Sequence, residues 1–183
     1  MAGLRRIPIF LCLFFFTRLI GFSQNNLLVD SKVTFKILNA DIVANGRFES
    51  LQTQICFDPL RPTATRFSSK IDVESIKTGI RLRDKHLKRP VYFDVNLFPT
   101  IEVDLLNIQD LGNGAYNGEF RIRIKGTEQR VRIPFTMKEE GGQYAFEGKF
   151  SLNRRDFKVG GKSWTLADLV DVQVRFVVLP LGK

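Results

Sequence analysis

The chain reads as an all-β protein, a sandwich or barrel of antiparallel strands. Three observations predict this. Apolar and polar residues alternate in pairs over most of the sequence, glycine-rich turns punctuate its second half, and no long stretch carries apolar residues at helical spacing. With 183 residues there is enough chain for one domain with a sizeable core, and no linker, low-complexity run or second domain interrupts it.

The first 23 residues stand apart. Arg5 and Arg6 precede an apolar run, Ile7 to Phe16, that is too short to span a bilayer as a helix. Gly21 and Ser23 then flank Phe22 in the pattern a signal peptidase reads, so residues 1–23 are expected to be an export signal and residues 24–183 the barrel domain. Arg18 is out of place in such a signal, and an uncleaved short anchor is the alternative. Cys12 follows Phe10 and Leu11 rather than a small residue, so no lipoprotein acylation site is read there. Loss of the signal leaves Cys56 as the lone cysteine, and its neighbours Ile55 and Phe57 point to a buried thiol.

Val33, Phe35 and Ile37 alternate with Thr34 and Lys36, a half-buried strand. Asn45-Gly46 is a hairpin signal and predicts a turn. Phe48 to Phe57 supplies one or two short strands, and Asp58-Pro59 with Pro62 marks a loop. Phe67, Ser69, Ile71 and Val73 form the next apolar face. Ser75 to Thr100 breaks the alternation and reads as an irregular segment, part-helical around residues 79–90, that crosses or closes one end of the strands. Period two resumes at Ile101, Val103 and Leu105, then at Phe120, Ile122 and Ile124, then at Val131, Ile133, Phe135 and Met137. Phe146, Gly148, Phe150 and Leu152 follow, and Val170, Val172, Val174 and Phe176 end the series, for about eight strands. Pro134 lacks the donor a central strand needs, so its strand is predicted to lie at an edge or to bulge there.

Twenty-eight Lys and Arg against nineteen Asp and Glu give a net charge of +9. Most of these charges fall on outward positions and mix both signs, the ordinary solvated face of strands. A basic balance favours nucleic acid, anionic membrane or anionic ligands; the export signal argues against nucleic acid. Catalysis finds little support. His86 is the sole histidine, and HExxH, CxxC, GxSxG and phosphate-loop patterns are all missing, so no catalytic residue, metal or cofactor is expected. Gly160-Gly161 reads as a turn. Asp84 and His86 are two apart, and on a helix they point away from each other. Asp84 fits better as an i,i+4 partner of Lys88, and His86 as a structural hydrogen-bonding residue.

Five of the seventeen phenylalanines leave with the signal and twelve remain. An eight-stranded barrel can be filled by such side chains or can hold one small ligand. Ser69 and Gly148, on otherwise apolar faces, would leave room inside.

The run Arg83-Asp84-Lys85-His86-Leu87, then Phe93-Asp94, then Phe98-Pro99-Thr100-Ile101, resembles the signature of the YceI-like family. Val29-Asp30 with Ser31-Lys32-Val33-Thr34-Phe35 is similar to that family's first strand. Ile124-Lys125-Gly126-Thr127 with Val131 resembles one of its hairpins, and Asn153-Arg154-Arg155-Asp156-Phe157 with Val159-Gly160 resembles a stretch near its end. The landmarks come in the family's order across residues 27–179. Lys158 departs from a usual glycine, and Leu105 stands where a more polar ending is common. The resemblance implies an extended, lipocalin-like, eight-stranded antiparallel barrel, exported to the periplasm. It also implies a polyisoprenoid or similar amphiphilic lipid as ligand, and it brings no catalytic residue.

On this reading Phe35, Phe67, Ile71, Val103, Phe120, Ile122, Phe135, Phe150, Val172 and Phe176 line the lumen, or else simply pack a core. Arg83, Asp84, His86 and Trp164 are expected at an end of the barrel, contacting a head group or pinning the central segment to the sheet. The alternative function is a ligand-free structural barrel whose basic surface docks an envelope partner or an anionic membrane. A homodimer is compatible with either.

Overall fold

A computed structural model describes residues 26–180 of the chain, so the export-signal reading of residues 1–23 lies outside the described residues. Ten strands form: β1 (Leu27–Asn39), β2 (Ile42–Phe48), β3 (Leu51–Cys56), β4 (Arg66–Asp72), β5 (Ile76–Lys77), β6 (Thr100–Gly112), β7 (Ala115–Ile124), β8 (Thr127–Glu140), β9 (Gln143–Asn153) and β10 (Leu166–Leu179). One α-helix, α1 (Arg81–Leu87), sits between β5 and β6. Neighbours run β3-β4-β6-β7-β8-β9-β10-β1-β2-β5, with every pairing antiparallel.

The ten segments amount to the eight strands expected. Val33 of β1 lies opposite Phe48 of β2. Seven residues back along β1, Asn26 donates its N–H to the carbonyl of Ile55, seven residues beyond Phe48, at 2.7 Å. The register is unchanged, so β2 and β3 are one strand bent at Glu49–Ser50. β4 and β5 are likewise one strand interrupted by a 3-10 turn, Val73–Ser75, that Asp72 caps through the N–H of Glu74. The Ser75 hydroxyl accepts the N–H groups of Glu49 and Ser50, tying the two bends together. The sheet thereby curls back on itself.

Two local expectations are corrected. The first hairpin turns at Ala40–Asp41, whose φ angles are 47° and 66°, as a two-residue turn with both residues left-handed. β2 runs straight through Asn45-Gly46. Gly46 faces Phe35 across the pair, and a Cβ there would lie 2.2 Å from the Phe35 ring, so this glycine makes room for an aromatic rather than for a turn. Cys56 is half-buried rather than buried, because inward Ile55 and Phe57 leave it on the outer side, where Arg66 donates to its sulfur at 3.7 Å.

Pro134 marks a break in the wall. β8 pairs with β7 from Thr127 to Thr136, but with β9 only from Phe135 to Glu140. Beyond Gly148, β9 pairs with β10 alone. A split therefore opens between β8 and β9 at the residue that has no ladder donor. Phe157 and Val159, in and after a 3-10 turn at Arg154–Phe157, pack beside it with Ile122 and Ile133.

Residues 78–99 cross the end of the barrel that also carries the β1–β2, β7–β8 and β9–β10 connections. The helix is shorter than expected, Arg81–Leu87, and turns complete the segment: Phe93 donates to Leu87, Val95 to Lys88 and Phe98 to Asp94 at 2.8–3.1 Å. The segment is fastened to the opposite wall by Lys125 Nζ, which donates to the carbonyls of Pro90 (2.6 Å) and Lys158 (3.1 Å), and by the Gly160 N–H on Val91. The Phe93 ring meets Phe48 edge-on at 6.2 Å.

Candidate functional site

Alternation along curled strands puts every second side chain inside. The space they enclose is an inner chamber of about 160 Å³ and a mouth chamber of about 320 Å³. Both are bounded by Val33, Phe48, Ile101, Ile124, Leu152 and Val172, so the two chambers adjoin, the mouth chamber at the crossed end and the inner one deeper in the barrel. The structure places Phe67, Ile71, Val103, Phe120, Ile122, Phe135, Phe150, Val172 and Phe176 on the inner chamber, and Phe35 on the mouth chamber. About 10–15 Å³ suffices for one water. The inner chamber exceeds that about tenfold, yet its wall offers water almost no partner.

Some aromatics meet across the interior, from strands that are not neighbours in the sheet. Phe67 meets Phe176 at 5.2 Å and Phe120 at 6.1 Å, both edge-on. Ser69 is buried on the inner wall, and its hydroxyl is paired with Thr53 Oγ1 at 2.8 Å, so it adds room without an unsatisfied group. Gly148 also lines the inner chamber, but a Cβ there would come within 3.1 Å of Val174, so its bareness serves strand packing as well as space. At the far end Phe57 packs against Tyr144 and Phe146, and Tyr116 stacks on Phe135 at 5.4 Å.

The mouth is more polar. Arg83 and His86 line it together with Asn39, Thr78, Arg154 and Thr165. Arg83 donates through Nε to Thr78 Oγ1 and through Nη2 to the Thr78 carbonyl, each at 2.8 Å. Buried Asp84 accepts from the Thr78 N–H at 2.8 Å and from its hydroxyl at 2.5 Å. Both charges thus pin the entry to α1 onto Thr78. Lys88 pairs with Glu74 at 2.5 Å, which corrects the expected Asp84–Lys88 contact. His86 is exposed and meets the Tyr92 ring at 4.9 Å; among the described residues no hydrogen bond joins it to Asp84. Trp164 lies outside the lumen, almost fully exposed, with Lys162 Nζ 5.8 Å from its ring.

Sequence reasoning missed Arg154. It is 5% exposed and donates to the carbonyls of Val159, Gly161, Leu166 and Ala167 and to Asp168 Oδ1, at 2.8–3.2 Å. This one guanidinium shapes the rim loop between β9 and β10. In the sequence it looks like any turn cation, and only its place in the resembled stretch 153–157 marked it. Lys158, the departure in that stretch, holds φ at 56°, the left-handed conformation that suits glycine.

A family model, the YceI-like domain, matches residues 28–178. A UPF0312 protein of Shewanella oneidensis is 25% identical over 137 residues, covering 70% of this chain and 71% of that one. Another, from Ectopseudomonas mendocina, is 25% identical over 120 residues, and the match spans 62% of this chain and 63% of that relative, just under two thirds of its length. Among solved structures, BcnA of Burkholderia cenocepacia superposes with a TM-score of 0.77 at 26% identity, over 81% of this chain and 96% of BcnA. A polyisoprenoid binding domain from Saccharophagus degradans superposes with a TM-score of 0.67 at 15% identity, over 85% and 98% of the two chains, a likeness of fold.

Proposed function

We propose that this chain, which belongs to the YceI-like family, is an exported periplasmic binding protein that holds or carries one long-chain amphiphilic lipid, a polyisoprenoid or a similar chain. One observation carries the reading: two adjoining chambers inside the barrel, the inner one almost wholly apolar and the outer one carrying polar side chains at the crossed end. Each methylene moved from water to such a wall contributes about 0.8 kcal/mol, so affinity grows with tail length. The few polar residues on the inner wall are already partnered, Thr65 with the Pro62 carbonyl, Ser69 with Thr53 and Glu147 with Arg175, which leaves the mouth, with Asn39 and His86, for recognition of a head. The fold likeness to a polyisoprenoid binding domain supports the ligand class. Export rests on Arg5, Arg6 and the apolar run behind them. No catalytic step is assigned, since the Asp84 carboxylate is taken up by Thr78.

The test is organic extraction of protein purified from its native envelope, followed by mass spectrometry and by titration of the stripped protein with a polyisoprenoid. A co-purifying or saturably bound lipid that raises the unfolding temperature is expected. Val172 borders both chambers, so Val172→Trp is expected to leave a folded barrel that takes up at least about tenfold less lipid. Absence of both native and added lipid would overturn the reading.

A further inference from the structure

The mouth carries a second pattern, on its outer side. Three segments surround it: the β1–β2 hairpin, the crossing segment 78–98 and the loop 158–166. Asn39, Thr78 and Thr165 line the same chamber, and Ala40 donates its N–H to the Thr165 carbonyl at 2.8 Å. Each segment also turns apolar side chains away from the lumen into solvent: Ile42 and Val43, Ile80 and Leu82, and Trp164, with exposures from 53% for Ile80 to 97% for Trp164. Scattered exposed apolar residues need no explanation, but several gathered around one opening do.

The charge around them is one-sided. Residues 38–44, 78–98 and 158–166 hold seven Lys and Arg against three Asp; Asp84 and Arg83 are both taken up by Thr78 and Lys88 is paired with Glu74, which leaves five cations against two acids. Arg81, Lys85, Arg89 and Lys162 are exposed among the apolar tips. Apolar side chains inside a basic collar suit the interface of an anionic bilayer, where the tips enter the acyl boundary and the cations meet lipid phosphates. We propose that this end of the barrel docks on anionic lipid bilayers, setting the mouth of the lumen against the leaflet. An amphiphile could then pass between bilayer and barrel without its tail crossing water. Docking needs no bound ligand, so it stands or falls separately from the carrier reading.

Trp164 is the only tryptophan in the sequence and reports the event directly. The purified protein is mixed with vesicles of phosphatidylcholine alone, or of phosphatidylcholine with phosphatidylglycerol. With phosphatidylglycerol present, Trp164 emission is expected to move to the blue and to be quenched by brominated acyl chains. The protein should sediment with those vesicles, and about tenfold less of it should do so at high salt. Ile42→Asp with Leu82→Asp is expected to abolish sedimentation while leaving the unfolding temperature and lipid uptake unchanged. Unchanged emission at every phosphatidylglycerol content overturns the proposal, as does sedimentation that survives in the double variant. Sedimentation equilibrium without vesicles tests the rival occupant: a dimer broken by the same double variant assigns this face to a second copy and also overturns it.

Discussion

A single guanidinium fixes the rim. Arg154 offers all three of its nitrogens to the loop between β9 and β10, and four of its five acceptors are backbone carbonyls with Asp168 the fifth. Arg154→Met keeps the apolar stem and removes those donors, leaving part-buried carbonyls unpaired. A loss of about 3 kcal/mol is expected, read as a lower urea midpoint with unchanged slope. Arg154→Lys should recover only part of it, since an ammonium lacks the planar fork. Asp104 gives the residue-scale test of pH. Burial alone would raise its carboxyl, but the Arg121 guanidinium at 2.9 Å, with Ser68, outweighs burial and holds it below the ordinary carboxylate value. A depressed folded value means the pair stabilises the fold above the unfolded value of about 4 and loses that contribution as pH falls through the folded one. Acid urea titrations should therefore show a shallower fall in stability for Asp104→Asn than for the parent, with a difference near neutrality below about 1 kcal/mol because the pair is half-exposed. Little of this was legible in the sequence. Alternation tells which face a side chain takes but not which partner it finds. Asp84 looked paired with Lys88, four residues away, yet bonds Thr78, which lies six back, before the helix begins.

At the scale of the element, the β1–β2 pair shows how one glycine can satisfy two patterns. Asn45-Gly46 has the composition of a tight turn, but Gly46 lies in mid-strand because Phe35 lies across it. The true turn, Ala40–Asp41, holds both residues left-handed without a glycine, and only the register of the strands reveals it. Gly46→Ala would put a Cβ into the Phe35 ring, which already packs against Phe48 at 5.7 Å. A cost of about 1–3 kcal/mol is expected. Phe35→Leu in the same chain should recover much of it, so that the double-mutant cycle in chemical unfolding is strongly non-additive; simple additivity would show that the ring and the glycine do not share space.

For the whole molecule, period two was enough to assign inward faces, because the barrel uses the same alternation everywhere: each of the ten side chains expected inside borders one of the two chambers, although alternation alone left a packed core and a lumen equally open. Closure was less legible. The bend at Glu49–Ser50 and the 3-10 turn Val73–Ser75 depend on hydrogen bonds made between distant segments, and nothing local in the sequence announces them. Pro134 was the exception, since a missing donor is a local fact with a consequence across the sheet. The β8–β9 ladder stops beside it, and residues 127–134 of β8 and 149–153 of β9 face a split packed by Phe157 and Val159. Every second amide along those two edges has no ladder partner, whereas β1 is paired with β10 from Leu27 to Asn39. Native-state hydrogen exchange should separate the regions: slit-facing amides of 127–133 and 149–153 should exchange about a hundredfold faster than those shared by β1 and β10. The half of β8 from Phe135 to Glu140, paired on its β9 side, should be protected along with the latter. Uniform protection along β8 would mean that the ladder continues past Pro134.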